Sequence, residues 1–339
     1  MRGISSRNNI NKLSLNLAVR AESFCRHFFP SGTKQGNYWQ IGDTSGAKGQ
    51  SLAIRLSDHG QGRAGKWTDY ASGEYGDLID LLHANRGGSF KDTLNDCWSF
   101  LGETPDDFDA SDNASSSSPA IKTNENIGNA RKLFKLGKST YKTLGSAYLF
   151  GRGIKRFGPA LKFHPSVYVR PDDQSEVQQH PALLAKVTNN DGVITGVART
   201  FLNPKTKGLA EFKNPKRALG QLYGNAIRFG KGAYSDDLIV GEGMENVLSI
   251  GTVLPDHDLA SCLTANHLGL FQPPSNIKRL WIARDNDEAG EMAAKRLRQT
   301  AEKMDIWVGD IVPDSGDFND DLETMGTEKF EAFIISQMT

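Results

Sequence analysis

Glu242, Asp285 and Asp287 are the residues whose type and spacing point to chemistry. Leu238-Ile239-Val240 is an apolar run ending in Gly241-Glu242-Gly243, and Arg279 to Ala283 is a second ending in Arg284-Asp285-Asn286-Asp287. Each run is too short for a helix and stops in turn residues, so each reads as a buried strand with acids at its carboxyl end. Carboxylates gathered at neighbouring strand ends repel by about 1–3 kcal/mol per pair at about 5 Å. A hard divalent cation offsets that repulsion, and all-oxygen ligands suit Mg²⁺ or Mn²⁺, which keep waters and share their site with substrate phosphates. Solvated turn residues are the ordinary alternative for Asp-Asn-Asp, but the repeated order of strand, acid and helix favours metal. Gly241-Glu242-Gly243 also invites a dinucleotide reading. That reading fails because Asn246 stands at the third glycine and Glu242 would face a pyrophosphate.

The elements that must position these acids follow from composition. The chain has 339 residues, 38% hydrophobic and 24% charged, enough for two or three domains with cores of their own. Its net charge of zero hides a partition. Residues 1–126 hold 13 Lys/Arg and 15 Asp/Glu, residues 127–235 hold 19 and 5, and residues 236–339 hold 8 and 20. A basic middle beside an acidic end suits a protein that holds a polyanion in one place and metal ions in the other. Cys25, Cys97 and Cys262 are too scattered for a disulfide framework or a four-ligand zinc site, which favours a reducing cytoplasm. No apolar run approaches 18 residues, so no membrane partner is expected.

Along the chain, residues 11–28 have helical spacing up to Pro30, and residues 36–67 alternate in short runs that predict a small antiparallel sheet before a helix at Leu78. Residues 103–126, rich in Ser, Asp and Asn, have a linker's composition. A helix containing Tyr148 and Arg152, a short second helix before Pro165, and strands at Ala182–Thr188, Val193–Phe201 and Glu211–Lys213 follow. Beyond the acids come a helix to about Lys303, a strand from Ile306 to Val312, and a last helix from Lys329 to Met338. Gly60 to Lys66 matches the first seven places of a P-loop, but Trp67 stands where a Ser or Thr should ligate Mg²⁺, so no nucleotide-driven motor is expected here. Arg199, Lys213, Lys216 and Arg217 interleave with Phe201, Phe212 and Tyr223, the equipment of a single-strand binding groove. A solvated basic face is the alternative.

Glu242-Gly243 after a strand, Asp285-x-Asp287 followed by Gly290, and the later Asp317-Phe318-Asn319-Asp320 resemble the Toprim domain of DnaG-type primases, topoisomerases and related nucleases. Glu245-Asn246, where many members carry an aspartate, resembles the phage and plasmid primase branch. The resemblance implies an α/β fold: a Toprim parallel-sheet catalytic domain at 236–339, preceded by a basic α+β primase-core subdomain at 127–235. Lys66 to Asp77 resembles the end of the zinc ribbon at the front of such primases. That implies a small α+β zinc-ribbon-like nucleic-acid-binding domain at 1–102, joined through the 103–126 linker. Asp69 and Ser72 take the places of its cysteines, so it would carry no zinc and be held by packing around Trp39, Trp67 and Tyr70.

The same resemblance places Arg199, Lys213 and Asn214 in the cleft facing the metals, and makes Asp317 and Asp320 the third acidic motif, although N-capping explains that pair as well. The implied activity is a DNA-dependent primase, a nucleotidyltransferase building short primers. Mg²⁺ or Mn²⁺ would sit on Glu242, Asp285 and Asp287, with Arg199, Lys213, Lys216 and Arg217 holding template or triphosphate. Its partners would be single-stranded DNA, nucleoside triphosphates and a replicative helicase in trans. A Toprim nuclease and a non-catalytic single-strand binding factor are the rivals.

Overall fold

The structure, a computed structural model, describes residues 3–60, 62–86, 89–102, 119–171, 176–212, 214–222, 224–230 and 236–338. It divides into two compact units, Met1–Ile121 and Lys122–Thr339. Of the stretch expected as a linker, 103–118 lies outside the described residues, and 119–126 is taken up by a helix.

The first unit opens with α1 (Gly3–Val19) and α2 (Ala21–Phe28), so the single helix expected over 11–28 is two, interrupted at Arg20. Five strands follow, β1 (Thr33–Gln35), β2 (Tyr38–Ile41), β3 (Leu52–Arg55), β4 (Trp67–Asp69) and β5 (Tyr75–Gly76), then α3 (Leu78–Arg86) and α4 (Phe90–Leu101). The strands pair in chain order, all antiparallel. One core joins Leu17 and Phe24 of the helices to Trp39, Ile54 and Trp67 of the sheet and Leu81 of α3. Asp69 and Ser72, 1% and 0% exposed, close the turn after β4 by hydrogen bonds. Asp69 Oδ1 accepts from Ser51 Oγ at 2.6 Å and from Ala71 N at 2.9 Å. Ser72 Oγ accepts from Glu74 N at 3.2 Å. A buried carboxylate with such partners is tolerated where an unpaired one is not. The Cys25 and Cys97 thiols are buried, which pushes each up to about 12 and keeps it neutral.

The second unit begins with α5 (Pro119–Leu136), β6 (Lys138–Ser139) and α6 (Leu144–Gly151). The antiparallel strands β7 (Leu161–Val169), β8 (Gln178–Thr188), β9 (Ile194–Phe201), β10 (Lys216–Gly220) and β11 (Ala226–Phe229) come next. Then follow β12 (Asp237–Gly241), α7 (Met244–Val253), β13 (Asp258–Ser261), α8 (Ala265–Gly269), β14 (Arg279–Ala283), α9 (Glu288–Glu302), β15 (Trp307–Ile311), α10 (Phe318–Met325) and α11 (Thr327–Gln337). Two local expectations change. Residues 154–159 are not helical, because Gly153 at φ 70° caps α6 and Ile154 N returns to Leu149 O at 3.0 Å. The strand expected at Glu211–Lys213 starts instead at Lys216. Asn214 has φ 54°, and Pro215 has no N–H for a ladder.

One ten-stranded sheet runs β10-β9-β8-β11-β13-β12-β14-β15, with β6 and β7 paired off β8, so the basic and acidic segments share a single sheet. β13, β12, β14 and β15 are parallel, and β11 joins them antiparallel. These parallel strands are covered on both faces. Ile239, Leu259 and Trp281 pack in the core that includes α7 and α10, while Leu238, Val240 and Ile282 pack toward α8 and α9. Burial on both faces is why the strands read as unbroken apolar runs.

Candidate active site

β12 has β13 on one side and β14 on the other, so the chain reverses its direction of travel across the sheet at β12. In an open α/β sheet, the carboxyl ends of strands at such a reversal form the ligand crevice. Glu242 follows β12 there, its backbone oxygen held by Leu263 N and Ser261 Oγ, each at 2.8 Å. Asp285 follows β14, and its Oδ1 accepts from Asn246 Nδ2 of α7 at 3.0 Å. Asp287 is the N-cap of α9, accepting from Gly290 N at 2.7 Å. Asp317 is the N-cap of α10, accepting from Asn319 N and Asp320 N at 2.9 Å each. The caps do not remove these acids from the site, because each capping carboxylate has a second oxygen.

Burial raises the Asp285 carboxyl to about 6. The hydrogen bond from Asn246 opposes that rise, the charges of Asp317 and Asp287 add to it, and Lys216 opposes it again. Asp285, Asp287 and Asp317 therefore share one field, with Lys216 at its edge. Asp320 is exposed. Its neighbour Asp321 is the buried one and closes the preceding loop, accepting from Asp314 N at 2.8 Å and Ser315 N at 3.0 Å. Among the described residues, no group of three or more His, Cys, Asp or Glu is arranged to hold a metal ion by itself. A crowded all-oxygen donor set fits a hard divalent cation bound jointly with phosphates and waters, not one caged by protein alone.

Glu245 was not singled out from the sequence as a site residue. It is 5% exposed on α7, accepting a 2.7 Å hydrogen bond from the Tyr148 hydroxyl of α6, with Lys216 Nζ of β10 at 3.0 Å from its other oxygen. Burial alone would raise its pKa, but Lys216 and the Tyr148 hydrogen bond outweigh burial and hold the carboxyl below its ordinary value. Asn319 extends the network. Its Nδ2 donates to Arg152 O at 2.8 Å and to Ser249 Oγ at 2.9 Å, and its Oδ1 accepts from the Arg152 guanidinium. The available signal was a charged residue in a helix apolar nearly all round, which must find a partner when buried.

The expected basic groove is divided by the sheet. Lys216 lies opposite Thr200 and Arg217 opposite Arg199, and successive strand residues face opposite ways. Lys216 therefore shares the face of Glu245, while Arg199 and Arg217 lie on the other, with Phe201 and Phe212. Arg217 pins loops, donating to Asn214 O at 2.9 Å and to Arg170 O and Pro171 O at 2.8 Å each. Arg199 donates to Ala218 O at 2.8 Å, and burial, with Arg217 beside it, pushes it down to about 10. Phe201 is fully buried and unavailable for base stacking, and Phe212 packs against it. Lys213 and Tyr223 lie outside the described residues.

A parallel sheet covered on both faces by helices, with acids in the loops after β12, β14 and β15, defines an α/β domain with a crevice at its strand ends. Residues 237–328 match the Toprim domain family, and that part of the chain is a Toprim domain. Residues 124–229 match a family described as a domain of unknown function (DUF7146). No curated protein matches the chain. Among solved structures, the chain is similar to the zinc-binding and RNA polymerase domains of the Aquifex aeolicus primase, at 14% identity over 90% of this chain and 80% of that one, with a TM-score of 0.43. It is similar to a DNA primase domain from Pseudomonas aeruginosa at 17% identity, over 62% of this chain and 78% of that one, with a TM-score of 0.44. For the primase fragment of the bacteriophage T7 primase-helicase protein, the values are 11%, 89%, 99% and 0.39.

Proposed function

We propose that the protein is a DNA-dependent, primase-like nucleotidyltransferase that builds short primers on single-stranded DNA from nucleoside triphosphates. The supporting observation is the pairing of opposites at one crevice. Lys216, from the edge strand of the basic segment, lies within electrostatic reach of the Asp285, Asp287 and Asp317 group. Triphosphate and template are polyanions, and their transfer chemistry is mostly positioning and charge stabilisation.

Glu242, Asp285 and Asp287 would hold Mg²⁺ or Mn²⁺, with Asp317 and Asp320 contributing from the third motif. When bound, the ion supplies positive charge to the α-phosphate and lowers the pKa of an attacking 3′-hydroxyl. The chain's own residues do the rest. Asn246 fixes the rotamer of Asp285, and the N-cap bonds of Asp287 and Asp317 fix theirs. Lys216, oriented by Glu245, receives phosphate charge. The reading also implies a cytoplasmic setting and a replicative helicase acting in trans, in phage or plasmid replication.

The test is incubation of the full chain with single-stranded DNA, labelled nucleoside triphosphates and Mn²⁺. New short oligonucleotides are expected, and none with Asp285→Asn. Shortening of labelled DNA would instead make the protein a Toprim nuclease. DNA binding with neither product would make it an accessory factor.

A further inference from the structure

Residues 126–171 contain ten Lys and Arg and no Asp or Glu. Within that stretch three large rings stand in solvent, Tyr168 on β7 at 68% exposure and, before and on α6, the pair Tyr141 at 58% and Phe150 at 51%. The latter two rest on Phe157, which is 8% exposed and part of the main core. The Tyr141 ring stacks on Phe157 at 4.8 Å between centroids and 30° between planes, and Phe150 meets it at 5.9 Å and 47°. The rings are therefore seated on a fixed base. Lys138, Lys142, Lys155 and Arg156 are exposed in the same stretch, Lys138 being tied by its backbone to Phe163 in the β6–β7 pair, and among the described residues none of the four side chains has a hydrogen bond or ion pair. Exposed rings among unneutralised cations mark an interaction surface, and the charge specifies an anionic occupant.

Helix α6 ties this surface to the crevice. Tyr148 and Arg152, four residues apart, share the side that reaches Glu245 and Asn319, whereas Phe150, two residues on from Tyr148, lies on the outward side. The outward surface and the crevice are thus separated by one helix, about 10 Å across.

We propose that Tyr141 and Phe150, seated on Phe157, form a base-stacking platform for single-stranded nucleic acid, with Lys138, Lys142, Lys155 and Arg156 taking its phosphates. Unpaired bases present free faces to such rings, and a duplex does not. Phe157 belongs to a different core cluster from Phe201 and Phe212, and the platform supplies the stacking that a buried Phe201 cannot. The inference rests only on the polynucleotide part of the proposed function.

The experiment measures binding of the full chain to a fluorescein-labelled thymidine 16-mer and to an abasic strand of the same length. The joint variant Tyr141→Ala/Phe150→Ala, at exposed positions, should bind the thymidine strand at least about fivefold more weakly. It should bind the abasic strand as the wild type does, with an unchanged salt slope. Tyr141→Phe should retain affinity, since the ring and not the hydroxyl is used. Lys142→Gln/Lys155→Gln/Arg156→Gln should flatten the salt slope by about 2, at about 0.7 per phosphate. Wild-type affinity in the ring variant, or an equal loss on the abasic strand, overturns the platform. The former outcome would point to an anionic protein partner instead. Failure of primer synthesis leaves this result standing, because binding is read separately.

Discussion

The hydroxyl of Tyr148 donates a 2.7 Å hydrogen bond to the carboxylate of Glu245, 97 residues away in sequence, and Lys216 closes the same carboxylate from a third element. Helix α6, helix α7 and edge strand β10 thus meet at one buried charge. Tyr148→Phe should cost about 1–3 kcal/mol, the range for removing a hydrogen bond to a buried charged acceptor. Lys216→Met should cost a similar amount, on the order of 1–3 kcal/mol after allowance for the lysine's exposure, because it strands a buried carboxylate. Lys216→Arg should keep most of the stability. Thermal melting of the three variants decides it, and a Lys216→Met protein as stable as the wild type would show that the pair holds nothing together.

Asp285 makes stability depend on pH. Its folded value of about 6 lies above the ordinary aspartate value of about 3.9, so the folded state binds this proton more tightly than the unfolded chain. The resulting stabilisation is complete below about pH 4 and is lost as the pH rises through 6, on the order of 1–3 kcal/mol. Asp285→Asn removes that dependence. The variant should therefore melt at the same temperature as the wild type or higher at pH 8 in metal-free buffer, with little difference at pH 4, while losing all primer synthesis. A melting temperature lowered by more than about 5 °C at pH 8, over 1 kcal/mol for a unit of this size, would show that the carboxylate is structural.

Gly290 is needed for close approach. A Cβ at this position would lie 2.5 Å from the Asp285 carbonyl oxygen and 3.1 Å from its amide nitrogen, both backbone atoms. Gly290→Ala should displace the Asp285 loop, reduce activity at least tenfold, and cost about 1–3 kcal/mol, the range for overpacking. Full activity in Gly290→Ala would mean that the loop's position does not matter to the chemistry.

In the first unit, Asp69 closes the turn after β4, its Oδ1 accepting from Ser51 Oγ and Ala71 N. Asp69→Ala should destabilise this unit by about 1–3 kcal/mol by leaving the Ser51 hydroxyl without its acceptor and Ala71 N with Ser51 Oγ alone. Incubation with a strong chelator should leave its melting unchanged. A chelator-dependent fall, together with one zinc per chain by elemental analysis, would replace the hydrogen-bonded turn with a metal site.

What the amino-acid order determined by itself was local. Apolar runs too long for turns and too short for helices located β12 and β14, the turn residues after them located Glu242, Asp285 and Asp287, and Trp67 in place of Ser or Thr removed a P-loop. These are properties of adjacent residues, set by backbone sterics and alternation. The tertiary structure decided which distant residues share a face. Lys216 and Arg217 are neighbours in sequence with the same charge, yet the two-residue period of a strand sends one to Glu245 and the other to a loop on the far side. Phe201, an aromatic beside basic residues in the sequence, is buried where β9 pairs with β8, whereas Tyr141 and Phe150 stand outside. Glu245 became a site residue only when α6 brought Tyr148 to it. A buried charge selects its partner by position in space, and that position depends on how the sheet between them is ordered.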